Sequence, residues 1–193
     1  MKVKIYLFKG LIVLLFLLCV PALSAQVALK TNALYGGLSQ TPNVSAEFFL
    51  NPSLTLDATV GFNPFTFNEG KKWKHLLLQP GLRFWSCEAF NGFFWGVHAH
   101  WAAFNLAKGL PLGIEPVNLK NNRFEGQLAG AGASVGYQWP LSKHWSLEAE
   151  AGLGYVYIWY DQYRCDHCGD FVKDGDRNYV GPTKAVLNIV YVF

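Results

Sequence analysis

The sequence has no long apolar segment after residue 25, few charged residues, and no second pair of cysteines beside its single Cys-x-x-Cys motif. A membrane-spanning α-helix needs about 20 mostly apolar residues, so the chain beyond residue 25 contains no candidate for one. Charged residues make up only 15% of the chain, whereas a typical soluble domain has about 25%. The 193 residues are enough for one domain.

Residues 1–25 have the features of a secretory signal peptide. Three lysines form a basic start, an apolar run covers residues 11–20, and the helix-breaking Pro21 follows. We expect cleavage before Gln26, because the alternative, a retained membrane anchor, would need a longer run. Three of the 16 basic residues and none of the 13 acidic residues lie in this segment, so the mature chain carries no net charge. Nothing in the charge therefore favours nucleic acid.

Apolar and aromatic side chains are abundant, at 51% and 16% of the chain. In the mature chain they alternate with polar or small residues at a period of two, as in β-strands. In the last strand, the odd-numbered residues from Ala185 to Phe193 are apolar, whereas Lys184 and Asn188 lie on the other face. Tyr191 and Phe193 match the terminal aromatic signal expected for the barrel-assembly machinery. Strands are predicted at 27–36, 43–50, 54–63, 74–85, 93–105, 126–139, 145–160 and 183–193.

These eight strands predict an antiparallel up-and-down transmembrane β-barrel over residues 26–193, embedded in the lipid of a bacterial outer membrane. The polar face of the strands carries most of their glycines, which a narrow barrel needs inside. A soluble periplasmic barrel that binds a ligand, with its aromatic face turned inward, is an alternative. Aromatic residues gather near the ends of the apolar face, as in membrane-interface girdles: Tyr35, Phe62, Phe84, Phe93, Tyr137, Trp139, Tyr157, Trp159, Tyr191 and Phe193.

The connections predict the orientation of the barrel. Short turns are expected at 51–53, 86–92 and 140–144, on the periplasmic side together with both chain ends. The opposite connections are 37–42, which is short, then 64–73, 106–125 and 161–182. The third of these mixes apolar and basic residues, which either form a partner surface or pack over the barrel mouth. Pro80 removes a hydrogen-bond donor in mid-strand, so we expect a bulge there.

Ionisable residues on the inner face should pair with one another, because an eight-stranded barrel is filled by side chains and unpaired buried charge is costly. A proton or ion path and a catalytic site are alternatives. Lipid-modifying barrel enzymes place a His, an acid and a Ser at one rim, whereas His98 and His100 lie in mid-strand without a convincing serine. We therefore predict no enzyme, no metal and no cofactor. The inward ionisable residues are Lys30, Glu47, Asp57, His75, Arg83, His98, His100, Glu148, Glu150 and Lys184.

The Cys-x-x-Cys motif lies in the last predicted loop. A disulfide between Cys165 and Cys168 is favoured in an oxidising compartment. A metal site that also uses His167 would lack a second cysteine pair, and a thioredoxin-like redox site would need an α/β fold. Cys87 lies in a turn at the other end of the barrel and is expected to be unpaired.

Six short motifs occur in order along the chain, and together they resemble the DUF3575 family of outer-membrane-type barrels from Bacteroidetes. The resemblance covers Val27 to Phe193 and implies the barrel fold without any catalytic residues. Family members are often encoded near fimbrial genes, which implies a link to fimbriae or other surface proteins as partners. The Cys-x-x-Cys motif also looks like a family feature. The motifs are residues 28–32, 41–43, 79–85, 96–100, 126–132 and 181–184.

Overall fold

The computed structural model describes residues 26–66, 72–107, 122–164 and 170–193. Eight antiparallel strands pair in chain order, and the first also pairs with the last, so the sheet closes into a barrel. The predicted signal peptide, Cys165, Cys168 and most of the predicted loop 106–125 lie outside the described residues. The elements are β1 (Val27–Asn32), α1 (Ala33–Ser39), β2 (Asn43–Asn51), β3 (Leu54–Asn63), β4 (Lys72–Trp85), β5 (Gly92–Ala107), β6 (Asn122–Pro140), β7 (Trp145–Arg164) and β8 (Phe171–Val192).

The predicted up-and-down barrel of eight strands is confirmed. Alternation of buried and exposed residues follows the period-two pattern of the sequence, most regularly along β5. Gln26, Phe193 and the short β2–β3, β4–β5 and β6–β7 turns lie at one end of the barrel, here called the terminal end. The opposite end contains α1 and is called the α1 end. Within the described ranges, no helix is long and apolar enough to cross a membrane.

The first strand is shorter than predicted. It ends at Asn32 instead of continuing to residue 36, and the chain turns into α1. The Asn32 side chain accepts hydrogen bonds from the backbone N–H groups of Leu34 and Tyr35 at 3.0 and 3.3 Å. Asparagine is a favoured helix N-cap, so this local bond competes successfully with strand extension. The predicted continuation of the first strand to residue 36 was therefore wrong, and the short helix was not predicted.

The last hairpin is longer than predicted. Residues 161–182 were expected to form a loop, but β7 continues to Arg164 and β8 begins at Phe171. The two strands remain paired up to Tyr163 and Phe171. Residues 171–178 are mostly polar and lack the alternation of a half-buried strand, which is why sequence alone indicated a loop. Backbone pairing with β7 holds them extended.

The bulge predicted at Pro80 is wrong. Pro80 pairs with Ala58, and the register between β3 and β4 stays constant on both sides of it. The proline instead interrupts the ladder between β4 and β5, which has no pairs at Gln79 and Pro80 but resumes in the same register. A register shift does occur in β8, where Thr183 is the extra residue between Pro182 and Lys184.

Glycines on β6 allow close approach of neighbouring strands. A Cβ atom on Gly132 would lie 2.5 Å from the Leu153 carbonyl oxygen and 2.8 Å from Nε2 of His98. The adjacent Ala133 faces outward and is exposed. The inner position therefore has no room for a side chain, whereas the outer one does.

We expect Gly132→Val to destabilise the barrel by at least about 1–3 kcal/mol, the usual cost of overpacking, because strands β6 and β7 would have to separate. Ala133→Val, one residue away on the outer face, should change the free energy of unfolding by less than about 0.5 kcal/mol. Denaturant unfolding followed by tryptophan fluorescence measures both. Equal losses in the two variants would contradict the close approach.

Candidate functional site

Seven charged side chains meet in the middle of the barrel and form what we call the lumen cluster. They alternate with outward residues on the inner faces of six strands, and all are buried. A period-two strand places every second side chain inside, so these residues need only the right height to meet. The members are Lys30 of β1, Glu47 of β2, Asp57 of β3, Arg83 of β4, Glu148 and Glu150 of β7, and Lys184 of β8.

Arg83 is the centre of the cluster. Its Nη1 atom lies 2.7 Å from Oε2 of Glu148 and 2.9 Å from Oε2 of Glu47. Its Nη2 atom lies 2.6 Å from Oε2 of Glu150. A planar guanidinium can serve several carboxylates in this way, which a compact ammonium cannot do in the same geometry. One side chain on β4 therefore connects β2 and β7 across the lumen.

The two lysines extend the cluster to β1 and β8. Lys30 Nζ lies 2.8 Å from Glu148 Oε2 and also contacts Glu47. Lys184 Nζ lies 2.9 Å from Glu150 Oε1 and 3.7 Å from Asp57 Oδ2. Each cation thus has at least two carboxylate partners.

Neutral side chains satisfy remaining carboxylate oxygens. Ser45 donates to Asp57 at 2.8 Å, and the Asn188 amide donates to Glu148 at 2.8 Å. Thr55 donates to Glu47 and accepts a hydrogen bond from the Trp85 indole at 2.9 Å. These bonds supply the additional partners that a buried ion pair needs to offset desolvation. Three cations face four carboxylates, so the cluster has one excess negative charge.

The three remaining predicted lumen residues lie outside this cluster. His98 and His100 are buried just beside it, and the His98 Nε2 atom is 3.0 Å from the Thr183 hydroxyl. His75 lies nearer the α1 end, where it contacts the Tyr35 hydroxyl and its Nδ1 atom is 3.2 Å from the Trp73 carbonyl oxygen. The period-two alternation of the sequence placed His75 on the correct, inner face of β4, but it could not give the height of His75 along the barrel axis.

The histidines do not complete a catalytic triad within the described residues. A triad would need an acid at Nδ1 of His98 to orient the ring beside a nucleophile. That Nδ1 atom, like Nδ1 of His100, is buried without a hydrogen-bond partner in the described part of the chain. The same residues contain no group of His, Cys, Asp and Glu side chains arranged to hold a metal ion.

Cys87 is the cysteine that the structure describes. It is exposed and unpaired at the terminal end. The predicted disulfide between Cys165 and Cys168 falls outside the described residues.

Above the lumen cluster, toward the α1 end, lies a cavity of about 640 Å³ that sequence reasoning did not identify. Its floor includes Arg83 and Lys184, and Tyr35 of α1 reaches over it toward Gly61. Burial raises the pKa of the Tyr35 hydroxyl above its usual range. A sequence signal for the cavity was present. The inner faces of β5 and β7 change from polar or small residues to apolar ones at Ala102 and Val156.

We expect Arg83→Met to lower the free energy of unfolding by about 3–5 kcal/mol, because it leaves buried carboxylates without their central partner. A matched control is Arg123→Met. Arg123 pairs with Glu125 where both side chains are partly exposed, at 29% and 34%, so its loss should cost no more than about 1 kcal/mol. Denaturant unfolding of the purified barrel gives both values. Similar costs for the two arginines would contradict the central role of Arg83.

Comparison with known proteins places the chain in a family. A family model described as "Protein of unknown function (DUF3575)" matches residues 11–193, nearly the whole chain. In comparisons with curated proteins and with solved structures, nothing matches. The resemblance seen in the six sequence motifs is thereby confirmed, and the chain belongs to the DUF3575 family.

Proposed function

We propose that this protein is a barrel of a bacterial outer membrane that binds a surface protein through its α1 end and catalyses no reaction. The observation that carries the membrane assignment is the distribution of polarity. Large apolar side chains project outward, with Val97 at 45% and Leu153 at 66% exposure, while the lumen cluster is buried. A water-soluble barrel would have the opposite arrangement.

The outer face changes from apolar to polar along one continuous row of paired residues. On β4 to β7, the row two positions nearer the terminal end contains Leu76, Ala103, Gln127 and Trp159, and the next contains Leu78, Trp101, Ala129 and Tyr157. The β8 residues of these two rows, Asp176 and Asn178, are still polar. A boundary that crosses the four neighbouring strands β4 to β7 supports an interface between lipid and water. On β8 the boundary lies nearer the terminal end, between Asn178 and Val180, as expected where tilted strands make a row of paired residues rise around the barrel. The polar row is Lys74, Asn105, Glu125, Asp161 and Asp174.

Aromatic pairs mark the other boundary, at the terminal end. Phe84 and Trp95 stack with ring centroids 4.2 Å apart, and Trp145 meets Tyr191 at 5.0 Å. Such rings favour the membrane interface, where one edge is apolar and the other wet. The short turns at this end support a periplasmic position for it and for both chain ends.

We expect Val97→Arg, in the middle of the apolar band, to cost about 2–4 kcal/mol of stability in lipid vesicles, because it places a charge in hydrocarbon. Asn105→Arg, on the same face of the same strand but in the polar row, should cost no more than about 1 kcal/mol. Urea unfolding from vesicles gives both values. Equal costs would contradict the proposed lipid boundary.

The location itself is tested by heat-modifiability. The mature protein, extracted from a membrane fraction with detergent, should migrate differently on a gel before and after boiling. A folded protein recovered from the soluble periplasm would overturn the membrane assignment.

The proposed partner surface is the free edge of β8. Strand β1 pairs with β8 only between Asn188 and Val192, because it ends at Asn32. The Asn32 side chain then bonds the Ala185 carbonyl and the Leu187 N–H at 3.1 and 3.3 Å. From Phe171 to Thr183, no described strand pairs with this edge of β8.

An unpaired edge offers a row of backbone donors and acceptors to an extended segment of another chain. We take that segment to belong to a surface or fimbrial protein, the partner class that the family resemblance implies. On this edge the outward side chains from Asp174 to Asn178 are polar and exposed, so such a protein can reach this part of β8 from water. The lumen cluster closes the middle of the barrel, which fits a binding role better than conduction.

Proline substitution tests the edge. In an antiparallel pair, adjacent residues alternately direct their N–H groups to one neighbour and to the other. Of Tyr179→Pro and Val180→Pro, one removes a bond to β7 and the other a donor on the free edge. We expect the variant that removes a donor on the free edge to fold into a heat-modifiable barrel and to lose binding of the partner.

A photocrosslinking residue at Asn178 in living cells provides the readout. It should give a discrete adduct whose mass spectrum identifies a surface or fimbrial protein, and the adduct should disappear in the folded proline variant. The same residue at the lipid-facing Ala133 is the control. Adducts of equal yield from both positions, or no protein adduct from Asn178, would contradict the proposal.

A further inference from the structure

The cavity at the α1 end has an apolar wall on one side. Its wall on β4 to β7 consists largely of aliphatic and aromatic side chains, which face inward above the lumen cluster. A volume of about 640 Å³ is within the range of ordinary small-molecule sites, about 300–1,000 Å³. In a membrane barrel the inner face is usually polar, so this wall needs another explanation than lipid contact. The wall includes Leu77, Ala102, Phe104, Leu128, Val156 and Ile158.

The floor and the β8 side of the cavity are cationic. The charged side chains that line it are Arg83, Arg177 and Lys184, whereas the four carboxylates of the lumen cluster do not line it. Arg83 and Lys184 thus lie between the carboxylates and the empty space. Arg177 forms no ion pair with any other residue in the described ranges, so its charge is free for a ligand.

The bulge in β8 creates this cationic side. Because Thr183 is an extra residue, both Thr183 and Lys184 reach the lumen: Thr183 contacts His98, and Lys184 contacts Glu150. The bulge also shifts the alternation in the rest of β8, which brings Arg177 and Tyr179 to the cavity. Two cations of one strand therefore border the same space.

The barrel wall is incomplete beside this cavity. Above Asn32 no described strand lies between β8 and β2, and α1 occupies the interval. None of the seven residues of α1 is fully buried. The outward β8 side chains beside the part of this interval nearer the terminal end, Val180 and Pro182, are apolar, so an apolar chain can reach the cavity there from the surrounding lipid.

We propose that the cavity binds a single-chain anionic amphiphile, with its acyl chain against the β4–β7 wall and its anionic group at Arg177 and Lys184. The anionic group is a carboxylate, as in a fatty acid, or a phosphate, as in a lysophospholipid. The inference rests on the proposed membrane location as the source of the ligand, but it does not depend on the β8 partner.

The test is photolabelling of the detergent-extracted barrel with a long-chain fatty acid that carries a diazirine near the end of its chain. Mass spectrometry of the labelled protein separates inner residues, such as Phe104 and Leu128, from outer residues, such as Trp101. We expect saturable labelling of inner residues and non-saturable labelling of outer ones. Outer labelling alone on a folded barrel would overturn the inference.

A matched pair of variants blocks the cavity or leaves it open. Ala102→Trp fills the space between Leu77 and Leu128 and should reduce inner labelling at least about tenfold, equivalent to 1.4 kcal/mol. Ala103→Trp adds the same ring to the outer face and should leave inner labelling unchanged. Ala102→Leu replaces the tryptophan variant if that one does not fold, with a smaller loss. Equal effects of the inner and outer variants would contradict the site.

Competition identifies the headgroup. An unlabelled fatty acid or a lysophospholipid should displace the probe better than a fatty alcohol of the same chain length, and the better of the two anions identifies carboxylate or phosphate. Arg177→Gln should weaken the anion about tenfold, because a charge-assisted bond is lost, and leave the alcohol unchanged. Equal competition by acid and alcohol on the unaltered barrel would overturn the anionic assignment.

The outcome for the location is separate. Inner labelling of a protein that proves soluble in the periplasm would support the cavity and overturn the membrane assignment. A heat-modifiable membrane barrel without inner labelling would support the membrane assignment and overturn the cavity as a ligand site.

Discussion

The ion pairs of Arg83 constrain the interior more than any other interaction in the barrel. One guanidinium connects carboxylates of β2 and β7 across the lumen, and the lysines of β1 and β8 share those carboxylates. Because isolated buried charge is so costly, none of these groups can move or be lost alone. The positions of six strands around the lumen therefore depend on one set of contacts.

The lumen cluster also limits the size of the other side chains on the inner face of the barrel. Its side chains are long and occupy the lumen, and at that height the inner face of β6 contributes only small residues, from Gly130 to Gly136. A Cβ atom on Gly96 would lie 2.8 Å from the Leu82 carbonyl oxygen, and Gly132 is equally confined. Toward the α1 end the long charged residues stop, and β5, β6 and β7 carry the inward Phe104, Leu128 and Ile158. The cluster and the cavity are thus two consequences of one change in side-chain size along the strands.

Sequence alone was sufficient for the barrel and for which face each strand turns inward. Period-two alternation requires only that apolar side chains leave water, so it identified the faces of Lys30, Glu148 and Lys184 directly. Alternation does not give height along the barrel axis, and His75 was therefore grouped with residues that it does not touch. Height follows from the register of neighbouring strands, which depends on long-range backbone pairing.

Other features could not be predicted because local patterns were overridden. Residues 171–178 of β8 are mostly polar on both faces, and their ladder with β7 keeps them extended. The bulge at Thr183 then reverses the inward parity, so counting back from Lys184 would place Arg177 outside. The end of β1 was not predicted because a local interaction decided it. The Asn32 side chain stabilised a short helix more than the continued strand.

The reversal of parity in β8 explains how a charged cluster and an anion site can occupy one narrow barrel. An anion bound by Arg83 and Lys184 alone would compete with carboxylates that already satisfy them, and the cluster has an excess negative charge. Arg177 adds a cation that the cluster does not use, and it can bind an anion without unpairing any buried carboxylate. Without the extra residue Thr183, that guanidinium would face outward, and the cavity would lose a cation that has no ion-pair partner in the described ranges. The bulge is therefore the feature on which selectivity of this cavity for anions over neutral amphiphiles depends.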